Sequence, residues 1–244
     1  MEIKGLKKTY RLEDRSLDVL RGVNYFLPDG NISIVLGKSG CGKTTLLRLI
    51  AGLEQPDEGI IDIPSGQRIA CVFQEPRLMP WLNIRDNIQF GLNHRDICPD
   101  ETRQILHLLG LESFERAYPA ELSGGMQQRV ALGRALAYHP SLLLMDEPLA
   151  SLDFFTRREM QNELLRILEK RQISVLFVTH SIDEALILAD QITVLKNGTF
   201  SRIFSLPQPH PRNLNEPEMI ILRQEILDTL EEENESSYKN VLEN

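Results

Sequence analysis

The chain is poor in several things that would each have marked a particular class of protein. It has three cysteines in 244 residues, Cys41, Cys71 and Cys98, an odd number and none in C-x-x-C spacing. That argues against a disulfide framework or a zinc site and fits a reducing cytosol. No run of about 18 apolar residues is present, so nothing in the sequence reads as a membrane-spanning helix. The opening residues carry charge with no apolar stretch behind them, against a secretory signal. A basic excess is also missing: the net charge is -8, against a general nucleic-acid binder, which carries a basic face. There is one tryptophan, and no internal repeat or low-complexity tract.

What is present is an alternation of apolar runs and helical patterns. Ile3–Tyr10 and Val19–Leu27 read as strands joined toward the next by the turn residues Pro28-Asp29-Gly30-Asn31. Ile32–Leu36 is a short β-branched run, expected as a buried strand, and Lys43–Leu53 follows as a helix with Gly52 as a C-terminal signal. Ile60–Ile63 and Arg68–Phe73 are further strand candidates. Residues 76–128 change character and read as a helical insertion, with patterns at Ile84–Gly91 and Pro99–Leu109. Beyond it come a helix at Val130–Ala137, a strand at Leu142–Met145, a helix at Thr156–Lys170 and a strand at Val175–Val178. Ser181 to Glu184 has capping-box spacing and opens a helix to Ala189. Asn197-Gly198 marks a hairpin between Ile192–Leu195 and Thr199–Phe204. A Pro- and Asn-rich linker at Leu206–Asn215 leads to a terminal helix at Glu216–Glu231, and the acidic residues from Glu231 to Asn244 are expected to fray. The fold class is α/β: a parallel sheet with helices on its faces, an antiparallel β region at the N-terminus and a helical insertion.

Two stretches carry chemistry. Gly37, Lys38, Ser39, Gly40, Cys41, Gly42, Lys43 and Thr44 match G-x-x-x-x-G-K-[ST] between a buried strand and a helix. Glycines there let backbone N–H groups surround an anion, the helix N-terminus adds a favourable dipole, Lys43 neutralises phosphate charge and the Thr44 hydroxyl is placed for Mg²⁺. Cys41 in this loop reads as a small filler. The second stretch is Leu142-Leu143-Leu144-Met145-Asp146-Glu147-Pro148, an apolar strand delivering two carboxylates at its C-terminal end, where ligands of open α/β sheets bind. Asp146 suits a metal and Glu147 a general base for water.

Between these lies Leu122-Ser123-Gly124-Gly125-Met126-Gln127-Gln128-Arg129, which resembles the L-S-G-G-Q signature of ABC transporter ATP-binding subunits. Gln74, Ser151-Leu152-Asp153, His180 and Tyr10 stand in the order and spacing of that family's Q-loop, D-loop, switch histidine and adenine-stacking aromatic, so the resemblance spans residues 1–205. It implies a P-loop ATPase core over 1–205, with 206–244 as linker, terminal helix and acidic tail. It implies ATP and Mg²⁺ as cofactors, Glu147, His180, Lys43 and Gln74 as catalytic groups, and Thr44, Gln74 and Asp146 around the metal. Nucleotide contacts would come from Tyr10, the loop through Thr44 and Thr45, and from Ser123, Gly124, Gly125 and Asp153. The family's serine and glycines face the nucleotide of a second copy in an ATP-sandwich dimer. Met126 departs from the usual glutamine and puts a side-chain role at that position in doubt.

Further implications are an integral membrane permease as partner, indirectly an extracytoplasmic solute-binding protein, no nucleic acid, and a peripheral place on the cytoplasmic face of the membrane. Arg77–Trp81, the L-S-G-G-M variant and Leu206–Arg212 resemble the nitrate, sulfonate and taurine importer ATPases. Ending soon after the core, the chain is expected to have no large regulatory domain. Two readings of Leu78, Met79 and Trp81 stand: an exposed apolar anchor for the permease, or packing within the insertion. Tyr10 has a packing alternative to stacking, His180 a merely structural or exposed one, and the terminal helix is expected to pack on its own domain. An ABC ATPase of an exporter or lipoprotein-release complex is the alternative function, and a soluble one acting on ribosomes or DNA a more distant one; the absence of a second domain and of long coiled coils counts against the latter.

Overall fold

A computed structural model of the protein describes residues 1–150 and 152–231. In chain order the elements are β1 (Glu2–Arg11), β2 (Ser16–Phe26), β3 (Ile32–Leu36), α1 (Lys43–Ile50), β4 (Glu58–Asp62), β5 (Ile69–Val72), α2 (Ile84–Gln89) and α3 (Pro99–Leu108). They continue with α4 (Gly124–Ala137), β6 (Leu142–Asp146), α5 (Phe154–Arg171), β7 (Ser174–Thr179), α6 (Ile182–Leu188), β8 (Gln191–Lys196), β9 (Thr199–Ser205) and α7 (Pro217–Glu231). Two 3-10 turns, Glu112–Phe114 and Pro119–Glu121, were not anticipated. The expected frayed residues after Glu231, like Ser151, lie outside the described residues.

The chain divides into two units: Met1–Asp62 with the chain from Val178, and Ile63–Phe177. In the first, β2, β1 and β4 form an antiparallel sheet in that order. Beside it β3 pairs parallel with β8, and β8 antiparallel with β9. All five residues of β3 are buried, and each full burial of a Val, Leu or Ile contributes roughly 1.5–3 kcal/mol. This is why an apolar run too short for a helix is a strand here. The β8–β9 turn is made by Asn197 at φ 45° and Gly198 at φ 77°, both left-handed, as a two-residue hairpin requires.

Helix α1 is three residues shorter than expected, ending at Ile50. Gly52 sits at φ 69°, the Leu53 N–H bonds to Arg48 O at 2.9 Å and the Gly52 N–H to Leu49 O at 3.1 Å. This is a Schellman termination, which satisfies the last carbonyls and turns the chain away. The residues of the linker are tied down rather than loose. Arg212 is 5% exposed and donates to Gln208 O, Leu186 O, Ala189 O and Leu206 O, so it caps the end of α6 while holding Leu206–Gln208. Helix α7 buries Met219 and Ile226 in the same unit, and Lys196 Nζ reaches Thr229 O at 2.9 Å. The expected packing of this helix on its own domain is therefore observed.

In the second unit β5 and β6 pair parallel, and β7, whose last two residues belong to the first unit, lies beside β6. Helix α4 begins six residues earlier than its apolar pattern, at Gly124: two glycines of poor helix propensity open it, and the Ser123 hydroxyl caps it by accepting the Met126 N–H at 3.3 Å. Helix α5 likewise starts early, at Phe154, because the Asp153 carboxylate accepts the Phe155 and Thr156 N–H groups at 3.0 and 3.1 Å.

Candidate active site

In the first unit the phosphate-binding sequence sits between β3 and α1. Gly40 is at φ 81° and Gly42 at φ 106°, and a Cβ on Gly42 would stand 2.9 Å from Val19 Cγ1. Only glycine satisfies both the backbone angle and the space. Lys38, Ser39, Gly40 and Thr44 are exposed, whereas Lys43 is 5% exposed. Lys43 Nζ donates to Gly37 O at 2.8 Å and Lys38 O at 3.0 Å, so its ammonium is folded against the carbonyls of its own loop. Cys41 packs against Gly37: a Cβ on Gly37 would lie 2.6 Å from its sulfur. This agrees with a filler in a tight turn.

Tyr10, near the end of β1, and Thr45, on α1, are brought together by the fold, Oη to Oγ1 at 3.5 Å. Tyr10 Oη also donates to the Glu54 carboxylate. His180 follows β7 directly and is exposed. The capping box expected at Ser181 is half present. Ser181 Oγ accepts the Glu184 N–H at 3.3 Å, but the Ser181 N–H goes to Thr179 Oγ1 at 3.0 Å, and the Thr179 hydroxyl donates to the Glu184 carboxylate at 2.7 Å. The strand-end threonine thus takes the acid away from the reciprocal bond and fixes the turn that carries His180.

In the second unit Asp146 is the last residue of β6 and Glu147 follows at φ 44°, a left-handed conformation for a non-glycine residue just before Pro148. Such a backbone costs on the order of 1–3 kcal/mol and persists where surroundings impose it, often at functional sites. Both carboxylates are partly exposed at the end of a strand whose other four residues are buried. Gln74, exposed, follows β5, the strand parallel to β6, so Gln74 and the two carboxylates leave the C-terminal ends of paired strands.

Ser123 and Gly124 are exposed at the start of α4. A Cβ at Gly124 would meet nothing within 4 Å, whereas at Gly125 it would lie 3.0 Å from Leu152 Cδ2 and 3.3 Å from Thr156 Cγ2. Gly125 is thus small because the turn before α5 packs on it, whereas Gly124 borders open space. Asp153, expected at the nucleotide, is occupied as the α5 cap; hydrogen bonds from the Thr156 side chain and N–H hold its carboxyl below the usual 3.8.

Three positions that sequence reasoning passed over hold the loops of this unit. Gln128 Nε2 donates to Phe73 O at 3.0 Å, and Arg134 donates to Arg77 O at 3.0 Å and Pro76 O at 2.9 Å, so α4 anchors both flanks of Gln74. Asn87, wholly buried on α2, accepts the Met79 N–H at 2.8 Å and donates to Met79 O, Leu82 O and Asn83 O. The available signal was polar residues at core positions of helical patterns. Asn87 fixes the segment carrying Trp81, which is 69% exposed. The reading in which Trp81 packs inside the insertion is overturned: with the preceding loop bonded to Asn87, the indole is turned outward.

Comparisons with known proteins identify the family. A family model described as ABC transporter matches residues 20–150. The chain is 41% identical to an ABC transporter ATP-binding protein of Methanocaldococcus jannaschii, over 96% of this chain and 92% of the relative. It is 42% identical to an aliphatic sulfonates import ATP-binding protein, SsuB 1, of Shouchella clausii, over 93% and 90%. With SsuB 2 of Pseudomonas syringae the figures are 44%, 87% and 91%. A solved ATP-binding cassette, a dimer in a post-hydrolysis state bound to ADP and Pi, superposes with a TM-score of 0.74 at 31% identity, covering 85% of this chain and 99% of its own. With the family model matching more than half of the chain and relatives aligned along nearly all of it, the protein belongs to the ABC transporter family as an ATP-binding subunit.

Proposed function

We propose that the chain is the ATP-hydrolysing, energy-coupling subunit of an importer for sulfonates or a similar small polar solute. The observation that carries this is the alignment with sulfonate import ATP-binding proteins at 42 and 44% identity over nearly their full lengths. Beside it stand the phosphate-loop and acidic strand-end motifs, and a signature sequence whose serine and two glycines are kept. The reaction is ATP + H₂O to ADP + phosphate. Tyr10 stacks on the adenine. The phosphate loop, from Gly37 to Thr45, wraps the β- and γ-phosphates with its N–H groups, and Lys43 leaves its loop carbonyls for phosphate oxygens. Glu147 polarises the attacking water as general base, Gln74 and His180 contact that water or the γ-phosphate, and Asp153 borders the nucleotide.

Thr44, Gln74 and Asp146 offer only oxygen donors, which suits Mg²⁺. Mg²⁺ bound there supplies neutralisation of phosphate charge. Two copies face head to tail, so that Ser123, Gly124 and Gly125 at the start of α4 direct N–H groups and a positive helix end to the γ-phosphate on the partner copy. ATP joins the copies and hydrolysis releases them. An integral permease takes up this motion on the cytoplasmic side of the membrane, with exposed Trp81 among the residues that meet it, and an extracytoplasmic solute-binding protein delivers the cargo.

Glu147→Gln tests the central assignment. The variant is expected to bind ATP, to accumulate as a dimer in gel filtration with ATP, and to hydrolyse it about 10²–10⁴-fold more slowly. Near-normal turnover would remove Glu147 as the base. Co-purification from native membranes with a multispanning permease, and sulfonate-dependent ATPase activity of that complex with its binding protein, tests the transport reading. A ribosomal or DNA-bound partner set would reject it.

A further inference from the structure

Tyr10 is held from three directions, all within the first unit. Its hydroxyl donates to one oxygen of the Glu54 carboxylate and lies 3.5 Å from Thr45 Oγ1. The other Glu54 oxygen accepts from Arg48 Nη1 at 3.3 Å, and Arg48 is on α1. Over the ring itself stands Lys8 Nζ, 5.7 Å from the centroid, and that ammonium is fixed in turn by Gln55 O at 2.7 Å and Asp57 Oδ1 at 3.3 Å. Glu54 and Gln55 leave the Schellman turn that ends α1, where the Glu54 N–H bonds back to Arg48 O at 3.3 Å.

A tyrosine ring has two side-chain torsions, and a base stacks on it productively only in a narrow range of both. Here the edge of the ring is tied to the carboxylate and one face lies under the ammonium. The tie runs to α1, the helix whose first turn carries Lys43, Thr44 and Thr45. Burial first, then the Glu54 carboxylate, push the phenol above its ordinary 10.0, so the hydroxyl keeps the proton it donates.

We propose that Glu54 is a positioning residue for nucleotide binding: by accepting the Tyr10 hydroxyl while bound to Arg48, it locks the stacking ring to the helix of the phosphate loop and so sets base and phosphates in register. This rests on the reading of Tyr10 as the adenine-stacking residue. Glu54 touches no nucleotide and acts through Tyr10. Its contribution therefore belongs to the base and not to the phosphates.

The experiment measures dissociation constants of ATP and of inorganic tripolyphosphate for the full chain and for Tyr10→Ala, Tyr10→Phe, Glu54→Ala, Glu54→Gln and the double variant Tyr10→Phe/Glu54→Ala. Tyr10→Ala is expected to weaken ATP by about 5- to 100-fold, the range of a lost base-aromatic stack. Tyr10→Phe and Glu54→Ala should each weaken ATP by about three- to tenfold with tripolyphosphate shifted less than about twofold. The double variant should be no worse than either, because one bond is removed in all three. Glu54→Gln, which retains an acceptor oxygen, should recover most of the affinity. Unchanged ATP affinity in Tyr10→Ala would overturn the stacking reading itself. A large effect of Tyr10→Ala with none from Glu54→Ala or Tyr10→Phe would overturn the role of Glu54 alone. Parallel weakening of ATP and tripolyphosphate in Glu54→Ala would make Glu54 a prop of α1, and additive losses in the double variant would show that the two residues act separately.

Discussion

Replacing Arg212 by alanine removes a buried cation whose four bonds all go to main-chain carbonyls. The guanidinium donates from Nη1 to Leu186 O at 3.2 Å and Ala189 O at 2.6 Å, from Nη2 to Leu206 O at 3.0 Å and from Nε to Gln208 O at 2.9 Å. Burial lowers its pKa and nearby Asp190 opposes that; a guanidinium keeps its charge in proteins. A buried acceptor left without a donor costs about 1–3 kcal/mol. Water can reach some of the four carbonyls once the side chain is gone, and the desolvation of the cation is relieved. The net loss is expected near 3–4 kcal/mol, in the range for breaking a buried polar network. For a chain of this length that corresponds to roughly 10 °C in melting temperature.

Thermal unfolding followed by circular dichroism measures the loss, and amide exchange locates it. Exchange should accelerate at the end of α6 and over Leu206–Asn213, while α7 keeps its protection through buried Met219 and Ile226 and the Lys196 bond to Thr229 O. Arg212→Lys keeps the charge but not the planar fork, and should recover less than about half of the loss. A melting temperature within about 2 °C of the unaltered chain for Arg212→Ala would refute the reasoning, because the carbonyls would then be satisfied without it.

Gly59→Ala should cost at least about 3 kcal/mol, since its Cβ would lie 2.6 Å from the Gly5 carbonyl at φ 94°, whereas Gly66→Ala, at φ 87° with nothing within 4 Å, should cost about 1–2 kcal/mol; equal losses in urea unfolding would contradict the close approach of β4 to β1. Burial pushes the Cys71 thiol from 9.0 up to about 11, a roughly 100-fold lower thiolate fraction at pH 8, so iodoacetamide should label exposed Cys98 well before Cys71, read by mass spectrometry; equal rates would disprove it. The Thr9 N–H, then Lys8, hold Asp57 below the usual 3.8. A depressed carboxyl contributes stability above its unfolded value and loses it as pH falls through the folded one. Asp57→Asn should therefore show a flatter dependence of melting temperature on pH below about 4, and an unchanged acid slope would count against the Thr9 contact.

Features closed within a few residues were legible from the sequence because their bonds are local. The glycines before α1, the Gly52 termination and the Asn197-Gly198 hairpin are set by backbone angles that few residue types adopt, and all stand where the pattern placed them. The carboxylates at the end of β6 follow from an apolar run whose length suits only a strand. Element ends were less legible where a cap overrode propensity, as at Gly124 after Ser123 and at Phe154 after Asp153.

Partners distant along the chain were another matter. Tyr10 meets Glu54 across 44 positions, Gln128 meets Phe73 across 55, and Arg212 meets Leu186 across 26. The outward turn of Trp81 depends on Asn87, a polar residue whose complete burial no periodicity reports. The sequence by itself determined the family, the phosphate loop and the acidic strand end, because contiguous residues carry their own geometry. Only the tertiary structure decided which carboxylate holds Tyr10, which arginine holds the linker and which face the tryptophan presents, because a long-range hydrogen bond forms with whatever group packing brings into reach.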